Sequence, residues 1–163
     1  MNTIATAQPT LKICKLHEEA QVPQAATAGS VGLDLSSLSS IEILPNRLVP
    51  NAYIVHTGIA VEIPKGYHGK VFLRSSIGAK TKLRLANGTG IIDSDYFFSD
   101  NEGHIFIKLT NDTKEDKTVE LSEGAGFAQG IFFPFGITED DDSWHRWYRL
   151  HREIIKLKEI FKT

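Results

Sequence analysis

Asp93 and Tyr96 close a segment that reads Asn87-Gly88-Thr89-Gly90-Ile91-Ile92-Asp93-Ser94-Asp95-Tyr96. Two glycines lead into an apolar pair, then two acids and an aromatic ring. A hairpin here would present backbone N–H and C=O groups to a flat ligand and set the acid and the ring beside it. An ordinary hairpin with solvated acids has the same pattern. A second segment is Lys70-Val71-Phe72-Leu73-Arg74-Ser75-Ser76-Ile77-Gly78-Ala79-Lys80. The pattern predicts a strand that ends in Arg-Ser-Ser and a helical turn over 75–80. Free N–H groups and two hydroxyls would then converge on one spot, an arrangement that suits phosphate oxygens. The same residues also describe a serine N-cap beside a surface arginine. The third segment, Ala28-Gly29-Ser30-Val31-Gly32-Leu33-Asp34-Leu35, sets two glycines around a serine and an acid at the start of a strand. Glycine allows close backbone approach, and a plain tight turn uses it equally well.

The elements that must hold these segments are short β-type runs. The candidates are 11–16, 32–37, 41–44, 48–64, 69–75, 103–111, 117–121 and 126–135, rich in Val, Ile, Phe and Thr and partly alternating. Turn signals divide them at Pro45-Asn46, Pro64-Lys65-Gly66, Asn87-Gly88, Asn111-Asp112 and Glu123-Gly124. Such spacing predicts an all-β sandwich, barrel or jelly roll. After Phe135 the character changes. Residues 138–143 form an acidic link, and 144–162 have helical spacing, with Leu150, Ile154, Leu157 and Phe161 on one face. The expected organisation is a β domain over 1–135 followed by an acidic link and amphipathic helical tail over 136–163. The tail could pack on its own body, on a neighbouring subunit or on a protein partner.

The chain has 163 residues and a net charge of −2, so no overall field draws it to nucleic acid or to an anionic membrane. A bound nucleotide would need a local site. The single cysteine, Cys14, cannot pair internally. The first residues carry no basic stretch ahead of an apolar core, and no apolar run reaches membrane-spanning length. The expectation is a soluble, cytoplasmic protein. The six histidines (17, 56, 68, 104, 145 and 151) lack zinc-like pairing, and there is no CxxC.

In their order and approximate spacing, AGSVGLDL (28–35), RSSIGAK (74–80) and NGTGIIDSDY (87–96) resemble motifs one to three of the trimeric all-β dUTPase family. Gly126-Phe127-Ala128-Gln129 resembles the fourth. The resemblance covers about 11–135 and implies a dUTPase-like jelly roll (β-clip) that assembles as a homotrimer with active sites at subunit contacts. It implies hydrolysis of dUTP to dUMP and pyrophosphate by water attack on the α-phosphorus. Asp93 matches the acid that activates the water, and Tyr96 the ring that packs on deoxyribose. Asn87 and the backbone of Gly90, Ile91 and Ile92 match the uracil-reading segment. Arg74, Ser75, Ser76 and Gln129 match phosphate-side residues. Asp34 matches an acid that orders Mg²⁺-bound water. Mg²⁺ would be held mainly by the triphosphate and water, with no protein cage. The stretch DYFFSDNEGHIF (95–106) resembles a Gram-positive bacterial or phage branch with a lengthened link after the tyrosine. Two departures stand out: Gly126 and Ala125 occupy positions where the family usually has Arg and Asp, and the Gly-rich, Arg-containing fifth motif has no counterpart after Phe135. They leave open a catalytically weak or inactive nucleotide-binding regulator. A dCTP deaminase, the sister activity on this fold, needs a general-base Glu where this chain has Lys108.

Overall fold

The computed structural model describes residues 9–141. The helical tail expected over 144–162 lies outside the described residues. The strands are β1 (Lys12–Lys15), β2 (Leu33–Ser36), β3 (Ile41–Ile43), β4 (Tyr53–His56), β5 (Ile59–Glu62), β6 (Tyr67–Leu73), β7 (Leu83–Leu85), β8 (Gly90–Ile92), β9 (Phe106–Asn111), β10 (Val119–Leu121) and β11 (Gly126–Pro134). All but β7 and β8 fall on the predicted runs, and β8 lies within the segment expected to form a hairpin. The helical turn expected after Arg74 is α1 (Ser75–Lys80), and a single 3₁₀ turn, not foreseen, covers Tyr96–Phe98. The long run 48–64 divides at Thr57-Gly58, where Gly58 takes φ +70°. A side chain at Gly58 would meet Ala20 and Leu38, so the corner needs glycine for both reasons.

All strand pairing is antiparallel. The orders are β1-β5, β10-β3, β4-β9-β7 and β2-β11-β6-β8. The last of these sheets carries most of the candidate site. Its inner face supplies Leu35, Val71, Ile92 and Ala128 to the core, where they meet Val55, Ile59, Ile107, Leu109 and the fully buried Phe127. β9 shows the alternation plainly: Ile107, Leu109 and Asn111 are buried, while Phe106 and Lys108 are exposed.

Three of the turn signals coincide with left-handed glycines, at Gly66, Gly88 and Gly124. The Asn87-Gly88 turn nevertheless does not close a paired hairpin. β7 pairs with β9 and β8 pairs with β6, so the turn is a corner between two sheets. Each short arm is an edge strand that pairs with a longer strand of a different sheet, and Gly88 N–H closes the turn on Leu85 O at 3.0 Å.

Asn111, the last residue of the expected 103–111 run and the first of a turn signal, ends β9 with 0% exposure. Its amide donates to Ile43 O (3.0 Å) and Lys117 O (2.9 Å), and its Oδ1 accepts from Thr113 N–H (3.2 Å). One side chain thus ties β3 to the loop between β9 and β10. Asn111→Ala strands two carbonyls and an amide away from water, so we expect a loss of about 2–4 kcal/mol of stability. Urea unfolding checks this, and a loss under about 0.5 kcal/mol would mean that water replaces the amide freely.

Candidate active site

Arg74 is the residue on which the phosphate-side cluster is built. It leaves β6 with extended dihedrals, φ −65° and ψ 145°, and forms the N-cap of α1. Its own N–H donates to Phe127 O at 3.0 Å. Its guanidinium reaches Asp34 Oδ2 at 3.3 Å and donates to Gly126 O at 3.2 Å. A half-exposed ion pair of this kind contributes little net stability, but two fixed partners aim the guanidinium. Gly126 is part of that seat. A Cβ there would lie 2.5 Å from Arg74 Nη1, so any side chain would force the guanidinium aside.

Gln129 faces Asp34 across the β2–β11 ladder and donates to Leu73 O at 3.3 Å. A Cβ on Gly32 would fall 2.3 Å from Gln129 Oε1. The second glycine of the first segment therefore leaves room for the glutamine amide. Ser75 and Ser76 are exposed in the first turn of α1, where backbone N–H groups have no partner within the helix.

A separate pocket of about 160 Å³ lies between β8 and the β7–β9 pair. Asn87, Gly90, Ile91, Ile92 and Tyr96 line it, with Val71, Leu85, Ile105, Phe106, Ile107 and Lys108. That volume suits a base and not a whole triphosphate. Asp93 follows β8 directly and is exposed beside it. The structure thus collects the third segment around a pocket and brings Asp34, Arg74 and Gln129 together elsewhere.

The two groups lie toward opposite edges of one sheet, Asp34 on β2 and Gly90–Ile92 of the pocket on β8. Residues paired across strands point to the same face. Asp34, Gln129 and Phe72 form one such row; Gly130, Val71 and Gly90 form the next, on the other face. Asp34 and Gln129 lie on the outer face, whereas the pocket combines inward Val71 and Gly90 with outward Ile91 and with the exposed Phe106 and Lys108, so it opens at the β8 edge of the sheet. β2 and β8 are three strand spacings apart, about 14 Å. The outer face also shows apolar surface to solvent: Ile91 is 55% exposed and Phe133 38%.

Comparison with known proteins matches residues 18–149 to the dUTPase family model. The chain is 35% identical over 154 residues to a deoxyuridine 5′-triphosphate nucleotidohydrolase of Hydrogenobaculum sp., covering 94% of this chain and 90% of that protein. A Lactococcus lactis protein of the same name is 31% identical, over 75% of this chain and 78% of that one. The crystal structure of the Streptococcus mutans dUTPase superposes with a TM-score of 0.69 at 33% identity, over 80% of this chain and 99% of that one. The dUTPase from phage phi11 of S. aureus superposes at 0.68 with 25% identity, over 82% and 96%. The chain belongs to the dUTPase family. Its all-β body is accordingly the dUTPase jelly roll, and the family match continues past Phe135, where the β domain was expected to end.

This dUTPase-family chain also holds a histidine cluster that the sequence did not reveal, because its members are far apart in the chain. His104 is 7% exposed, and its Nε2 accepts the Gly58 N–H at 2.9 Å. The His17 and His56 rings lie 5.8 and 5.4 Å from it, centroid to centroid, and Phe106 packs at 4.3 Å. Burial lowers the His104 pKa from its ordinary value, and His56 and His17 lower it further against an opposing pull from Glu102. A protonated ring would lose its acceptor nitrogen. The unfolded chain takes up this proton near pH 6.5, and the folded chain only at lower pH. Stability contributed by neutral His104 is therefore complete above about pH 6.5 and falls as pH drops toward the folded-state value. Thermal melts from pH 7.5 to 5.5 should show this decline, and His104→Gln should flatten it. An equally steep decline in the variant would assign it to other groups.

Proposed function

We propose that this chain hydrolyses dUTP to dUMP and pyrophosphate, with Asp93 as the base that activates water. The observation that carries this reading is the pocket itself. Asn87, Gly90, Ile91, Ile92 and Tyr96 line one base-sized space, and exposed Asp93 directly follows the lining residue Ile92 in the chain. In this reading Asn87 and the backbone of Gly90–Ile92 read the uracil edge, and the Tyr96 ring packs on the deoxyribose and leaves no room for a 2′-hydroxyl. Arg74, Ser75, Ser76 and Gln129 hold the phosphates. Asp93 takes a proton from the water as its oxygen bonds to the α-phosphorus, and the bond to the β-phosphate oxygen breaks to release pyrophosphate. Lys108 lines the same pocket, where a deaminase would need an acid, which favours hydrolysis over deamination.

The described residues contain no group of three or more His, Cys, Asp or Glu that could hold a metal ion. In this reading Mg²⁺ would arrive on the triphosphate, and Asp34, paired with Arg74, would act on it through water. Bound there, the ion would neutralise charge on the leaving pyrophosphate. The opposite placement of pocket and Arg74 cluster favours a homotrimer in which one copy's pocket meets another copy's phosphate side. The apolar outer face of the sheet favours burial against another copy. Residues 136–163 are read as an appended link and tail. No helix among the described residues is long and apolar enough to cross a membrane, and the free thiol of Cys14 suits a reducing cytoplasm.

Asp93→Asn keeps the side chain's shape and removes the base. Turnover of dUTP with Mg²⁺ should fall by about 10²–10⁴, with little change in dUTP affinity measured by calorimetry. An unchanged pyrophosphate release rate would remove Asp93 from the chemistry and leave a nucleotide-binding role.

A further inference from the structure

The lengthened segment after Tyr96 folds back and grips the tyrosine's own hydroxyl. Tyr96 OH donates to His104 O at 2.8 Å. Asn101 Nδ2 donates to Tyr96 OH at 2.9 Å and to His104 O at 3.2 Å. Asn101 is held in turn. Its Oδ1 lies 2.5 Å from Ser99 Oγ, which is also 2.7 Å from Tyr96 O, so one hydroxyl proton is shared between two acceptors. His104 N–H donates to Asn101 O at 3.1 Å, and the His104 ring is anchored to Gly58. The loop closes through Gly103, at φ +72°, where a Cβ would come within 2.6 Å of Phe97 Cα. The hydrogen bonds around Asn101 are made within the loop, and they converge on one phenol.

We propose that Asn101 is a specificity-determining positioning residue that fixes the tilt of the Tyr96 ring over the pocket and thereby sets the preference for deoxyribose over ribose. The proposal rests on the reading of Tyr96 as the sugar gate. A ring held only at Cβ can swing about χ1 and χ2. A phenol bonded at its far end as well keeps one orientation, and a gate that excludes a single hydroxyl works only if the ring does not give way. Asn is suited to the task because its amide is a two-hydrogen donor facing two acceptors, the phenol oxygen and the His104 carbonyl. An aspartate of the same shape would set a carboxylate against both.

The test compares kcat/KM for dUTP and UTP in Asn101→Ala, Asn101→Asp, Tyr96→Phe, the Asn101→Ala/Tyr96→Phe double variant and Tyr96→Ala, at a temperature well below each variant's melting point. We expect the dUTP/UTP ratio to fall by about tenfold in Asn101→Ala, which takes one hydrogen bond from the phenol, and by at least as much in Tyr96→Phe, which takes both. The double variant should fall no further than Tyr96→Phe, because that change already removes the Asn101 bond. A purely structural role would slow both substrates alike and leave the ratio untouched. Tyr96→Phe removes both phenol bonds and leaves Asn101 on the His104 carbonyl, so a preserved ratio in this variant overturns the positioning role even if the Asn101 variants do not fold. If Tyr96→Ala collapses the ratio while Tyr96→Phe and Asn101→Ala preserve it, the gate stands and the positioning role is wrong. If Tyr96→Ala also preserves the ratio, the gate reading fails and the positioning role falls with it.

Discussion

β6 is hydrogen-bonded on both sides, to β11 along Tyr67–Leu73 and to β8 along Gly69–Val71. Because side chains alternate along a strand, this one element sends Phe72 outward beside Gln129 and Asp34 and sends Val71 inward beside Gly90. A slip of one residue would exchange the two faces and expose the core. The buried row of Leu35, Val71, Ile92 and Ala128 therefore fixes the register. The same register aims Arg74 and Gln129 away from the pocket. Core packing and site geometry are in this sense one constraint. A chain that buries these apolar residues correctly must present the Arg74 cluster and the pocket toward opposite edges of the sheet.

Glycines do much of the positioning around that sheet. Gly32 admits the Gln129 amide, Gly126 seats the Arg74 guanidinium, and Gly103 lets the segment after Tyr96 close on Phe97. The substitution of glycine for the family's usual arginine at 126 reads on the sequence as a lost charge. In the folded chain it is a carbonyl acceptor and a space for Arg74. Loss of a side chain at one position is matched by the placement of another.

Much of this was legible in the residues. The strand runs, the helical turn after Arg74 and the grouping of Asn87, Gly90–Ile92 and Tyr96 followed from periodicity, turn chemistry and family resemblance. What escaped depended on contacts between distant positions. Asn111 looks like a turn residue beside Asp112, but a polar residue at an inward position of β9 becomes a buried tie once the Ile43 and Lys117 carbonyls reach it. The Asn87-Gly88 turn looks like a hairpin because local sequence cannot say which longer strand each arm will join. His104, Asn101 and Tyr96 are close in sequence, yet their network requires left-handed Glu102 and Gly103, and no pattern of polar residues announces it. The one available signal was the unusual length of the link itself.

If the pocket of one copy and the Arg74 cluster of another make one site, two variants that are inactive alone should restore each other when mixed. Asp93→Asn lacks the base but keeps the cluster, and Arg74→Gln lacks the cluster but keeps the base. Each alone should show almost no pyrophosphate release from dUTP. Dissociated together and reassembled at equal amounts, they should regain up to about a quarter of the parent rate, because random mixing gives that share of contacts with both parts intact. If the mixture, confirmed by mass to be mixed oligomers, stays as inactive as its components, each copy holds a complete site of its own and the account is wrong.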